Sequence, residues 1–71
     1  MKGLRVLTAE KVRIDDKGEI ERNGYFCDGD EIEEINMSRY RIVQELLLGY
    51  PPYNKLIYLD DVHYLVLVEP I

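Results

Sequence analysis

Hydrophobic and polar side chains alternate along the first part of the chain. Between residues 4 and 14 the even positions are mostly apolar and the odd positions are mostly polar. A period of two is typical of a β-strand with one buried face, here the face of the even positions. Residues 15–18 read DDKG, which suits a type I turn with a glycine bulge. The chain is therefore predicted to return as a second, antiparallel strand.

The turn fixes which residues of the two strands lie opposite each other. Counting outward from residues 15–18 places Ile14 opposite Ile20 and Arg13 opposite Glu21. The first pair joins two apolar side chains and the second joins a cation with an anion, which are favourable cross-strand combinations. The turn residues alone place the turn, so this cross-strand match is independent support for the predicted hairpin.

A second turn signal, Asn23-Gly24, lies inside the returning strand. One interpretation is a two-residue turn that pairs Arg22 with Tyr25 and produces a short three-stranded meander. The other interpretation is a glycine irregularity within one longer strand that ends near Cys27. We favour the second interpretation.

Residues 30–48 show the spacing of apolar side chains that is typical of an amphipathic helix. Asp30 is predicted to be the N-cap, and Glu33 is predicted to complete a capping box with it. The alternative is that residues 31–35 form a strand and the helix begins near Ser38. The apolar side of the longer helix contains Ile32, Ile35, Tyr40, Ile42, Val43, Leu46 and Leu47.

Residues 55–68 predict a closing hairpin with a two-residue turn at Asp60-Asp61. That turn places Leu59 opposite Val62 and Tyr58 opposite His63. The predicted fold class is α+β, in the order strand, strand, helix, strand, strand. One antiparallel sheet of about four strands would pack on the helix, either open or curled toward a barrel.

The closing hairpin is apolar on both faces, whereas antiparallel sheets usually keep one face in water. The helix can cover one face, so the other face needs either the first hairpin folded over it or a second molecule. We favour an interface, most simply with a second copy of the chain. The loop YPPY, residues 50–53, would add two tyrosines to it. The predicted interface residues are Leu56, Tyr58, His63, Leu65, Leu67, Tyr50 and Tyr53.

Composition limits the remaining possibilities. The 71 residues indicate one domain, 1–71, with a net charge of −5 that disfavours direct binding of nucleic-acid phosphates. One cysteine and one histidine exclude an internal disulfide and cannot fill a tetrahedral zinc site. No leader or membrane segment is evident and the single thiol suits a reducing compartment, so we expect a cytoplasmic location. Abundant Glu, Ile, Val, Leu and Tyr with no Trp favour a thermophilic source.

Candidate catalytic groups are few. His63 lies next to Asp60 and Asp61 in the sequence, which is the minimum for general-base chemistry. The spacing of the chain places no nucleophile beside it, and there is no glycine-rich phosphate loop. We therefore predict no catalytic residues, no metal ligands and no cofactor.

Three functional hypotheses follow, in descending order. The first is a small non-enzymatic interaction or regulatory module that binds a protein partner and itself. The second is an acidic inhibitor that mimics nucleic acid and blocks a basic channel on another protein, because acidic residues crowd the first half of the chain. The third is a small metal-binding protein or hydrolase that uses His63.

Overall fold

The computed structural model describes residues 3–45 and 53–71. The chain forms strands β1 (Leu4–Ile14) and β2 (Ile20–Phe26), helix α1 (Gly29–Met37), and strands β3 (Arg41–Glu45), β4 (Lys55–Leu59) and β5 (Val62–Pro70). The strands make one antiparallel sheet in the order β2-β1-β5-β4-β3. The predicted α+β class is confirmed. The described sheet has five strands instead of about four, and it is open, not a closed barrel.

Both predicted hairpin registers are confirmed. In the first hairpin Ile14 lies opposite Ile20 and Arg13 opposite Glu21. Within its turn, the Asp15 side chain accepts hydrogen bonds from the backbone N–H groups of Lys17 and Glu19. The closing hairpin has its turn at Asp60-Asp61, and Leu59 pairs with Val62 and Tyr58 with His63, as expected. Turn chemistry therefore sets both registers locally.

The Asn23-Gly24 signal proves to be an irregularity inside β2, as favoured from the sequence. Lys11 pairs with Tyr25, but the next residue of β1, Val12, pairs with Arg22, so β2 holds extra residues at this point. Gly24 has a φ of +76°, which a residue without a Cβ adopts at little cost. The bulge changes the direction of the last residues of β2.

The prediction of a single buried face for the first strand is wrong. The pairing of β1 with β5 shifts between Val6 and Thr8, so Leu7 is an extra residue. Val6 and Ala9 consequently belong to one core cluster while Val12 belongs to another. An added residue reverses which side of the sheet later side chains face, because the side-chain period is two.

The predicted helix start is also wrong. Asp28, not Asp30, is the N-cap: its side chain accepts from the backbone N–H of Glu31 at 2.9 Å, and the Glu31 side chain accepts from the N–H of Asp28 at 3.0 Å. The capping box is therefore D-x-x-E shifted two residues toward the N-terminus, and Glu33 has no part in it. The alternative strand over residues 31–35 is wrong as well.

Helix α1 ends far earlier than predicted, and the second half of the expected helix is a strand. Ser38 is the C-cap with extended backbone, and its N–H bonds to Ile35 O at 3.2 Å. The β-branched pair Ile42 and Val43 then lies in β3, which pairs with β4. Residues 46–48 of the predicted helix lie outside the described residues.

Two core clusters lie on opposite faces of the β4–β5 hairpin. On the helix side, Ile57 and Val66 pack with Val6, Ala9 and Ile35. On the other side, the cluster contains Val12, Tyr53, Leu56 and Leu65, with Ile14 and Ile20 packed against it. The double apolar pattern of the hairpin is thus explained within one chain, because the first hairpin and Tyr53 cover the face that α1 leaves free.

Candidate functional site

The predicted interface residues do not form one accessible surface. Leu56, Leu65 and Tyr53 are buried in the second core cluster, so the expectation that they form an exposed face is wrong. They are covered because Val12, Ile14 and Ile20 of the first hairpin pack against them. Tyr50 lies outside the described residues, and Leu67 is half-buried.

The remaining predicted residues, Tyr58 on β4 and His63 on β5, are half-buried, and Tyr58 pairs with Arg41 of β3. Their rings are 4.8 Å apart, and the Arg41 guanidinium lies 5.5 Å from the Tyr58 ring centre. The Tyr58 hydroxyl donates to Asp61 Oδ1 at 2.6 Å, and this bond raises the pKa of the Tyr58 phenol. The Asp61 carboxylate is therefore hydrogen-bonded to Tyr58.

Among the described residues, no group of three or more His, Cys, Asp or Glu side chains is arranged to hold a metal ion.

The outer edge of β1 is closed along its length by the rest of the chain. Strand β2 pairs with its second half, and the N–H of Cys27 bonds to Ala9 O at 2.9 Å. Where β2 no longer reaches, the Asn36 carboxamide accepts from the N–H of Val6 and donates to its carbonyl. The Tyr40 hydroxyl donates to Leu4 O at 3.3 Å. Unpaired strand edges invite pairing with other chains, and here two helix-side residues remove that possibility.

The outer edge of β3 contrasts with β1. Within residues 3–45 and 53–71, β3 pairs only with β4 and is the last strand of the sheet. All five of its residues are exposed, including the apolar side chains Ile42 at 42% and Val43 at 44%. We call β3 together with Tyr58 of β4, which pairs with Arg41, the β3 surface. It combines an open strand edge with apolar and aromatic groups, the features that favour protein contact.

An ion pair between a buried carboxylate and an exposed guanidinium lies at the other end of the sheet. Glu10 is only 1% exposed, and its carboxylate accepts from Arg22 Nη2 at 2.8 Å and from the N–H of Gly24 at 3.2 Å. Burial alone would raise the pKa of Glu10, but these bonds to its charged form hold the pKa below the usual value. The guanidinium of Arg22 also lies 5.0 Å from the centre of the Tyr53 ring. The arrangement fixes the β2 bulge against β1.

Two aromatic residues lie at the end of β2 beside this ion pair. Tyr25 is 67% exposed and Phe26 is 60% exposed. Phe26 stacks on Tyr53 with ring centres 6.1 Å apart, while Tyr25 is paired across the strands with Lys11. We call Tyr25 and Phe26 the β2-edge pair.

Cys27 follows the β2-edge pair and is half-buried near α1. Burial raises the pKa of its thiol, and the negative charge of Glu31 adds to that effect. A raised pKa lowers the thiolate fraction and with it the nucleophilicity. The geometry therefore favours a packing role for Cys27.

Sequence reasoning missed the Glu10–Arg22 pair and the two sheet edges. A signal for the ion pair was present, because Glu10 interrupts the apolar even positions of β1 at a place where a charge requires a partner.

Comparison of the chain with protein-family models, with curated proteins and with solved structures finds no match. None of the helices formed by the described residues is long and apolar enough to cross a membrane.

Proposed function

We propose that the protein is a small non-enzymatic interaction module that associates with a second copy of itself through the β3 surface. The observation that carries this proposal is that, among residues 3–45 and 53–71, no strand pairs with the outer edge of β3, where Ile42 and Val43 are exposed. A cytoplasmic location belongs to the same proposal and rests on the single cysteine.

The contrast between the covered half of β1 that β2 does not reach and the outer edge of β3 supports the choice of β3. The chain closes the free half of β1 with Asn36 and Tyr40, which is the usual protection against unwanted strand pairing. The part of the chain described in the structure supplies no equivalent cover for β3. An edge that is left open while another is closed is a candidate contact surface.

Local geometry indicates how the contact is made. The pairing of β3 with β4 shifts between Ile42 and Gln44, so Val43 is an extra residue and β3 is irregular. Irregular edges do not support a long ladder of backbone hydrogen bonds. The contact would therefore depend on the side chains of Ile42 and Val43, with Tyr58 and Arg41 beside them.

The size of the β3 surface sets the expected strength. Stable interfaces usually bury about 1,200–2,000 Å² in total, which is more than one short strand per copy offers. We therefore expect a reversible dimer whose population rises with concentration over the micromolar range.

Light scattering over a series of concentrations tests the proposal. The unaltered chain should shift from monomer toward dimer, and Val43→Lys should remain monomeric because it places a charge in the contact. Met37→Lys is the matched control, because Met37 is 83% exposed and lies on α1, so the same charge is added outside the β3 surface. A monomer at every concentration, or equal effects of the two variants, would refute self-association through β3.

A further inference from the structure

A second contact surface lies at the opposite edge of the sheet, and it differs chemically from the β3 surface. The β2-edge pair presents two adjacent aromatic side chains, 67% and 60% exposed. Aromatic side chains bury about 150–250 Å² each and dominate the energetics of interfaces, so their exposure as neighbours on an edge strand is costly unless something covers them.

Successive residues of a strand point to opposite faces of a sheet, so Tyr25 and Phe26 straddle the edge of β2. Tyr25 lies beside Lys11, and Phe26 lies on the side of Glu10, against Tyr53. Phe26 is held in place by that stack, and β2 has no strand on its outer side among residues 3–45 and 53–71. An extended segment that runs along the edge could contact both rings at once.

The charges near the β2-edge pair indicate what kind of segment would bind. The two nearby cations are already paired, Lys11 with Glu31 and Arg22 with Glu10. Asp28 and Asp30 follow Phe26 by two and four residues, and within the described residues neither forms an ion pair. The uncompensated charge around the aromatic rings is therefore negative, although positive side chains are present.

We propose that the β2-edge pair docks an extended, basic segment of a partner protein. Lys or Arg side chains of such a segment would lie over the ring faces, and the surrounding carboxylates would attract them. The chain itself shows this type of contact, because Arg22 lies over the Tyr53 ring at 5.0 Å from its centre. The open edge of β2 offers backbone groups to the same segment.

Selection from random peptides tests the proposal directly. A display library of peptides of about 12 residues, long enough to run along one strand, is selected on the Val43→Lys variant. This variant removes the proposed dimer contact, so the outcome does not depend on self-association. Enriched peptides should carry a net positive charge, bind more weakly at high ionic strength, and shift the amide NMR signals of residues 21–31.

Two variants make the result specific. Tyr25→Ser combined with Phe26→Ser should weaken binding of the enriched peptides about tenfold or more, because it removes the aromatic anchors. Leu7→Ser is the matched control, since Leu7 is an exposed apolar residue away from β2, and it should leave binding unchanged. The proposal fails if no peptide is enriched, if enriched peptides lack a positive charge, or if the two variants bind equally.

Discussion

Asn36 takes the place of a neighbouring strand for Val6. Its carboxamide oxygen accepts from the Val6 N–H at 2.7 Å, and its amide nitrogen donates to the Val6 carbonyl at 3.1 Å. A strand residue would form the same two bonds. Asn36 therefore joins α1 to the edge of β1.

This contact predicts a clear loss of stability for Asn36→Ala. The variant leaves the Val6 N–H and carbonyl without partners in a partly buried place, so we expect the free energy of unfolding to fall by about 1–3 kcal/mol. Urea denaturation measures the change, and amide exchange at Val6 should accelerate. Glu33→Ala on the exposed side of α1 is the control. If both variants lose the same stability, the Asn36 bonds are not the cause.

Glu10 predicts a characteristic dependence of stability on pH. Burial raises its pKa, but the bonds from Arg22 and Gly24 outweigh burial, so the folded-state pKa lies below the usual 4.5. A lowered folded-state pKa means that the carboxylate stabilises the fold fully above its unfolded pKa, and that this contribution disappears as the pH falls through the folded-state value.

Glu10→Gln should therefore reduce the free energy of unfolding by about 1–3 kcal/mol at neutral pH, since it removes the charge that Arg22 and Gly24 bind. The difference from the unaltered chain should shrink as the solution is acidified below the usual carboxyl pKa. Denaturation at a series of pH values measures it, with the exposed Glu21→Gln as control. A difference that stays constant down to strongly acid pH would contradict the role of the Glu10 charge.

The helix start predicts unequal effects for two aspartates that look equivalent in the sequence. Asp28→Ala removes the side chain that caps the N–H of Glu31, and we expect a loss of about 1 kcal/mol. Asp30→Ala changes only a charge in the first turn of α1 and should cost a few tenths of a kcal/mol at most. Thermal unfolding of the two variants measures the two losses of stability. A larger loss for Asp30→Ala would indicate that Asp30, and not Asp28, is the N-cap.

Two glycines predict opposite responses to the same substitution. Gly24 has a φ of +76° and nothing lies within 4 Å of an added Cβ. Gly24→Ala therefore introduces backbone strain without a steric clash, and we expect the free energy of unfolding to fall by about 1 kcal/mol. Gly29 also has open space but lies in the first turn of α1 without positive φ. Gly29→Ala should therefore raise the free energy of unfolding by about 0.5–1 kcal/mol. Chemical denaturation measures both changes. If the two variants change the free energy of unfolding in the same direction, the prediction is wrong.

The limits of the sequence are clearest at residues 41–45. Their apolar spacing fits a helix, and no local residue excludes one. They form β3 because β4 offers an edge whose backbone groups pair with them. The two strands are joined by a long connection, so local spacing does not reveal this contact. The bulge at Leu7 and the pairing of Glu10 with Arg22 also arise only when β1, β2 and β5 are brought together.

The sequence by itself determined both hairpin registers, because turn residues and a period of two act over a few neighbouring positions. It also determined that the closing hairpin must be covered on both faces. Only the tertiary structure decided what covers it, where the helix ends and which strand edges stay unpaired within the described part of the chain. Those outcomes depend on hydrogen-bond and charge partners that are distant in the chain. A pattern of neighbouring residues does not indicate which distant group will be the partner.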